Sequence, residues 1–251
     1  KRGVDYTEDE IKELARVKLE KFLDPTGVRS DLLAQFRRSN SEGPARNWRL
    51  ADMPAIGREV EAVHFASLSL IRHPAAGEFE ALMRRETEQR IISFDPNIRA
   101  GLVEEEADYR ARLETFFRHA HIIKLSHADL DWIFPGANAE RLAAEWLSQE
   151  ARLVLLTRGG EGATVFSRQG KVSRPARPIK VADTVGAGDS MMGGFLAALT
   201  DLKSLTREGL ETLGGVELAK ALDFALSVAA ITCSRVGADP PRREELGLAK
   251  S

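Results

Sequence analysis

The chain has 251 residues, 43% of them hydrophobic, enough to fill the core of one large domain. With 36 Lys plus Arg against 38 Asp plus Glu, it carries no basic field for nucleic acid or an anionic membrane, and a small polar partner is expected instead. A single cysteine, Cys233, excludes an internal disulfide, and no apolar run approaches the ~20 residues of a spanning helix, so the composition reads as cytoplasmic.

The chain starts at Lys1 rather than a methionine, and the true start of the reading frame is expected upstream. In residues 1–38, Thr7 and Glu10 stand at capping-box spacing, followed by Ile11, Leu14, Ala15, Val17, Leu19 and Phe22 in a charged helix that "DPTG" ends. Ser30 is expected to cap a second short helix through Phe36. This segment reads either as an ordinary packed helical hairpin or as an arm, residues 7–36, that docks a protein partner. "RRSNSEGPARN" (37–47) is the linker candidate, so a helical segment over 1–38 precedes an α/β domain over 39–251.

From about residue 60, short apolar β-prone runs alternate with longer helical patterns. "VHFASL" (63–68), "RIISFD" (90–95), "HIIKLS" (121–126) and "RLVLLT" (152–157) predict buried strands. Between them, "PAAGEFEALMRRETEQ", "EEADYRARLETFFRHA" and "ANAERLAAEWLSQE" carry apolar residues at three- and four-residue spacing, as core-facing helices do. Such a repeated βα pattern folds into a mostly parallel sheet covered by helices. "GATVF" and "KVSRPA", joined through 167–170, predict a hairpin added to the sheet, and helices near 205–213 and 218–234 close the chain.

The string "KVADTVGAGDSMMGGFLAAL" (180–199) places Gly186, Ala187, Gly188 and Asp189 at the mouth of a helix. Closely spaced glycines there let backbone N–H groups converge on one point, and the helix dipole adds positive potential, which together hold an anion. An aspartate at that point would repel phosphate unless it accepts a proton from an incoming nucleophile. The combination suits phosphoryl transfer to an alcohol, with the glycines as anion hole and Asp189 as base. Asp189 as a simple helix cap is the other reading of the same residues. Gly193 and Gly194 allow close packing of this helix on a neighbour, and no GxxxxGK[ST] pattern occurs.

"DPNIR" follows a strand, which places Asn97 and Arg99 at the carboxyl edge of the sheet, where open α/β folds collect ligands. Arg99 has a bidentate fork for phosphate or sugar hydroxyls, and a surface turn closed by Asp95 and Pro96 is the alternative. Ser126 and Asp129 have helix-cap spacing. Cys233 reads as a core residue. His64, His73, His119, His121 and His127 show no paired metal spacing and are assigned no chemistry.

The full string "DTVGAGDSMMGGF" resembles the signature of the PfkB carbohydrate kinases, a ribokinase-like family. The resemblance runs from about Asn40 to Leu246 and is nearest the fructokinase-like branch, with "VHFASLSLI", "SFDPNIRAGL", "KLSHADLDWIF", "LLTRGGEGATVF" and "CSRVGADPP" in the order found there. It implies a ribokinase-like three-layer α/β sandwich and ATP-dependent phosphorylation of a sugar hydroxyl. Asp189 is then the base, Gly186, Ala187 and Gly188 the anion hole, and Asn97 and Arg99 the substrate side. Nucleotide is expected at Lys124, Thr157, Gly159 and Gly162, with Leu226 and Ala229 bordering the adenine. Mg2+ is expected through water at Asp129, and a monovalent cation such as K+ near Asp183, Val185 and Gly237. Relatives often carry Asn and Glu where Ser126 and Asp129 stand, and Asn where Leu226 stands.

The family's first strand with its acidic sugar-gripping residue, its Gly-Gly region and its β lid are not found in residues 1–40. Two expectations follow. Either those elements lie outside this sequence and the chain is a sugar kinase, or it is an inactive pseudokinase serving as an interaction or regulatory subunit through its N-terminal helices. A nucleoside kinase of the same family keeps the chemistry and changes the acceptor. Relatives often dimerise through the lid, so a homodimer belongs to the first expectation.

Overall fold

A computed structural model describes residues 55–71, 73–103 and 105–246. The helices expected in 1–38, the linker and the boundary near 39 lie outside the described residues. Four parallel strands, β1 (Ala62–Ala66), β2 (Ile91–Asp95), β3 (Ile122–Ser126) and β4 (Leu153–Thr157), are followed by the antiparallel β5 (Ala163–Ser167) and β6 (Gly170–Arg174). They form one sheet in the order β1-β2-β3-β4-β5-β6. The helices α1 (Ala75–Glu86), α2 (Glu106–His119), α3 (His127–Ile133) and α4 (Ala139–Leu147) lie between the parallel strands, and α5 (Ala187–Asp201), α6 (Arg207–Thr212) and α7 (Gly215–Cys233) follow the hairpin.

The alternation of side chains along each strand sorts the core into two layers. Ile92, Phe94, Ile123, Leu125, Val154 and Leu156 pack with Tyr109, Phe116 and Phe117 of α2 and Trp146 of α4. Ile91, Ile122, Leu153, Leu155 and Val165 point to the other face, against Met192, Phe195 and Leu199 of α5 and Leu222 and Ala225 of α7. Every residue of β2 is buried, as a strand covered on both faces requires. Aromatic packing anchors the first layer, with Phe117 stacked on Trp146 at 4.7 Å between ring centroids. The second layer depends on a close approach of α5 to α7: a Cβ on Gly194 would stand 2.9 Å from Val228 Cγ2 and 3.2 Å from Ala225 Cα. These are the strands, hairpin and helices the sequence predicts beyond residue 60, arranged as a three-layer sandwich. Among the described residues, no helix is long and apolar enough to cross a membrane.

Register brings the chemistry to one edge. Ala66 pairs with Asp95 and Ser126 with Thr157, so β1 ends level with β2 and β3 with β4, and the loop that leaves β2 meets the start of α5.

Candidate active site

Gly186, at the N-cap of α5, has φ 80, a left-handed conformation that favours glycine, and a Cβ there would stand 2.7 Å from Ala238 Cβ. The turn before it is tied twice to the end of α7. Ala182 N and Asp183 N donate to Cys233 O at 2.8 and 3.2 Å. Asp183 Oδ1 accepts from Val185 N at 3.0 Å, and its Oδ2 accepts from Gly237 N at 2.9 Å. Hydrogen bonds from Val185 and then Gly237 hold the Asp183 carboxyl below its ordinary pKa. The residues expected near a monovalent cation thus meet, with the carboxylate turned onto backbone amides.

A cleft of about 290 Å³ opens at this helix start. Asn97 and Arg99 line it from the loop after β2, facing Thr184, Val185, Gly186, Gly188 and Asp189. The three expected anion-hole residues divide: Gly186 and Gly188 line the cleft, while Ala187 N donates to Thr184 O at 3.2 Å and closes the turn. Asn97 stands in the left-handed region at φ 38, and its Nδ2 donates to Asp189 Oδ1 at 3.1 Å. Arg99 is exposed and folds back on the same loop, its Nη1 donating to Asn97 Oδ1 at 2.7 Å.

Beneath the cleft lies a polar strip. The parity that sends Ile91 and Ile122 toward α5 sends Ser93, Asp95 and Lys124 the same way. Lys124 Nζ donates to Asp95 Oδ2 at 2.5 Å, with both groups buried. Burial pushes the Asp95 carboxyl up in pKa, and Lys124 pulls it back. His64 Nδ1 meets Ser93 Oγ at 3.0 Å. The crowding of protein around its ring, and next the charge of Lys124, bring His64 down to about 4, while Asp189 acts in the opposite sense.

Asp129 forms the capping box of α3 with Ser126: Asp129 N donates to Ser126 Oγ at 3.0 Å and Ser126 N to Asp129 Oδ2 at 3.0 Å. Its Oδ1 takes Ile98 N at 2.8 Å, so the cap also pins the loop that carries Asn97. Of the residues expected at the nucleotide, Thr157 ends β4 and donates to Leu125 O at 3.4 Å. Gly159 and Gly162 have φ 54 and 104, and a Cβ on Gly162 would stand 2.1 Å from Arg174 O, a backbone reason for glycine in the turn into β5. Leu226 is buried in the layer between α7 and the sheet, with Ala229 packed beside it. None of these, nor Lys124, lines the cleft around Asp189. Among the described residues, no group of three or more His, Cys, Asp or Glu could hold a metal ion.

Sequence reasoning passed over Asp95 and His64. An acidic residue closing the fully buried run "IISFD" was a signal for the first; for His64, partners 29 residues away left no local signal.

A mostly parallel sheet with helices on both faces, topped by a glycine-rich helix start that presents a carboxylate, defines the ribokinase-like α/β class. Fructokinase from Xylella fastidiosa with bound ATP superposes with a TM-score of 0.70 at 25% identity, over 76% of this chain and 61% of that one. Fructokinase from Vibrio cholerae O395, in its fructose, ADP and calcium ion bound form, gives 0.64 at 24% identity over 76% and 60%. The model of the pfkB family carbohydrate kinases matches residues 30–245, and the chain belongs to that family. The fructokinase of Rhizobium leguminosarum bv. trifolii is 40% identical over 163 residues, 65% of this chain and 50% of that protein. The chain spans about half the length of the curated relatives it matches.

Proposed function

We propose that the chain carries the phosphoryl-transfer half of an ATP-dependent, fructokinase-like sugar kinase acting in the cytoplasm. The observation that carries this reading is the placement of Asp189 and the glycine turn of α5 on one cleft with Asn97 and Arg99. In the reaction, the acceptor hydroxyl loses its proton to Asp189 as its oxygen bonds to the γ-phosphorus and the bond to the leaving diphosphate breaks. The amides at Gly186 and Gly188 and the positive end of α5 stabilise the charge gathering on the transferred oxygens, while the Ala187 amide shapes the turn. Arg99 is free to swing from its own loop onto phosphate or sugar hydroxyls. Similarity to fructokinases, one described with fructose and ADP, supports sugar and nucleotide as substrates.

The helix start fits a nucleotide phosphate, whereas the acidic groups among the described residues make no metal cage. Mg2+ would enter with the nucleotide and neutralise phosphate charge there, and Asp129 would meet it through water. Asp183 with the backbone at Val185 and Gly237 shapes the place for K+. Thr157, Gly159 and Gly162 border the nucleotide from the turn after β4, and Ala229 faces the base, with Leu226 behind it.

Asp189→Asn is expected to abolish sugar phosphorylation while leaving MgATP affinity intact; unchanged turnover in that variant removes the role given to Asp189. Calorimetric titration with MgATP, then fructose and a panel of sugars and nucleosides, tests the whole reading. Nucleotide heat followed by a sugar-dependent heat sustains the kinase. Nucleotide heat alone, or none, favours the interaction subunit acting through residues 7–36.

A further inference from the structure

We propose that Lys124 and Asp95 form a positioning unit beneath the anion turn: the ammonium is a fixed positive floor under Gly188, and the carboxylate holds Asn97 where its amide steadies Asp189. The inference rests on the kinase reading above and replaces the expectation that Lys124 binds nucleotide directly.

Asp95 divides its oxygens between two tasks. Oδ2 takes the Lys124 ammonium at 2.5 Å, and Oδ1 takes the Asn97 backbone N–H at 3.1 Å. The second bond fixes Asn97 at φ 38, and from there its Nδ2 reaches Asp189 Oδ1 at 3.1 Å. A continuous path of hydrogen bonds therefore runs from the buried ammonium to the carboxylate of the cleft. Lys124 also touches the other side of the site, since a Cβ on Gly188 would stand 3.2 Å from its Nζ. The glycine leaves room for the ammonium as well as for an anion.

Two physical arguments favour a floor over a ligand. To reach a phosphate, Lys124 would have to leave a partner that is 1% exposed and strand a buried carboxylate. A cation at the positive end of a helix is also unfavourable in itself, and an apolar pair of similar volume would pack at least as well. A pair kept in so costly a place supplies a charge where charge develops. It sits close enough to act without entering the cleft, in surroundings where screening is weak.

The test uses the full chain with Lys124→Met, Asp95→Asn and the double variant, which is neutral and preserves shape should either single variant fold poorly. Three quantities are read: kcat for sugar phosphorylation, Kd for MgATP by calorimetry, and the His64 titration by NMR. A positioning unit predicts kcat lower by about 10²-fold in each variant, with MgATP Kd within about twofold of the parent. It also predicts a double variant no worse than the worse single one. The His64 pKa rises from about 4 in both variants that lack the ammonium. The inference is overturned by a MgATP Kd weakened about tenfold in Lys124→Met, by unchanged kcat, by losses that multiply in the double variant, or by a His64 titration that does not move. If the parent chain phosphorylates no sugar, the kinase reading fails by that result alone. The Kd and His64 measurements then decide the inference separately: unchanged Kd with a shifted His64 sustains the floor, and either other pattern removes it.

Discussion

Asp183 shows how one side chain can set the geometry of a site without entering the chemistry. Its carboxylate accepts the amides of Val185 and Gly237 and so joins the turn before α5 to the loop after α7. Because those bonds require the charged form, its folded pKa lies below the ordinary 3.8. The stabilisation is therefore complete above 3.8 and is lost as pH falls through the depressed folded value. Asp183→Asn is expected to lower stability at neutral pH and to flatten the acid limb of the stability profile, measured by urea unfolding at a series of pH values. An unchanged acid limb would mean that the turn is held by other bonds. Both Asp183 and Asp189 were legible as motif residues. Asp95, which bears on the same site, was signalled only as an acidic residue closing a buried run, because its two partners are supplied by a neighbouring strand and by a backbone amide, and nothing in "DPN" announces either.

At the scale of elements, α5 opens at the cleft and packs along its length on α7, and their approach is closer than ordinary side chains allow. Gly194 meets Val228 and the backbone at Ala225. In an exposed helix Gly→Ala would gain about 1 kcal/mol of helix propensity, but overpacking here costs about 1–3 kcal/mol, so the collision wins. Gly194→Ala is expected to unfold at lower urea, and pairing it with Val228→Ala should cost less than the two changes summed. A fully additive pair would place the strain elsewhere. The helices, the parallel strands and the hairpin were readable from periodicity, since each expresses local propensity and the burial of one or two faces. Where α5 meets α7 was hinted at by paired glycines, but the partner helix was not.

Across the whole molecule, two histidines link the sheet to acid stability. His121 accepts Ile92 N at 2.9 Å through Nδ1, and burial, then Arg207 and Arg152, bring it down to about 4, as for His64. Above 6.5 both are neutral, folded or unfolded, and their contribution is fully present. As pH falls below that value the unfolded chain takes up protons that the folded chain refuses, so stability declines until about 4, where the folded state also protonates. The slope is at most about 1.4 kcal/mol per pH unit for each histidine. His121→Gln is expected to reduce it in denaturant titrations between those limits, and an identical slope would show that other groups govern acid unfolding.

The amino-acid sequence by itself determined the class of fold, the family and the place of Asp189 at a helix start, because strand and helix periods are local and the glycine turn with Asp189 is contiguous. It also carried the helix cap of Ser126 and Asp129, and only the folded chain showed the capping box also pinning the loop at Ile98. The tertiary structure alone decided that Ala187 faces its own turn rather than the cleft, and that Lys124 is held by Asp95. Those outcomes depend on register and on which face of the sheet a residue shares with others far away in the chain. Parity along a strand can be read locally, but which charged neighbour it meets is settled only when the strands pair.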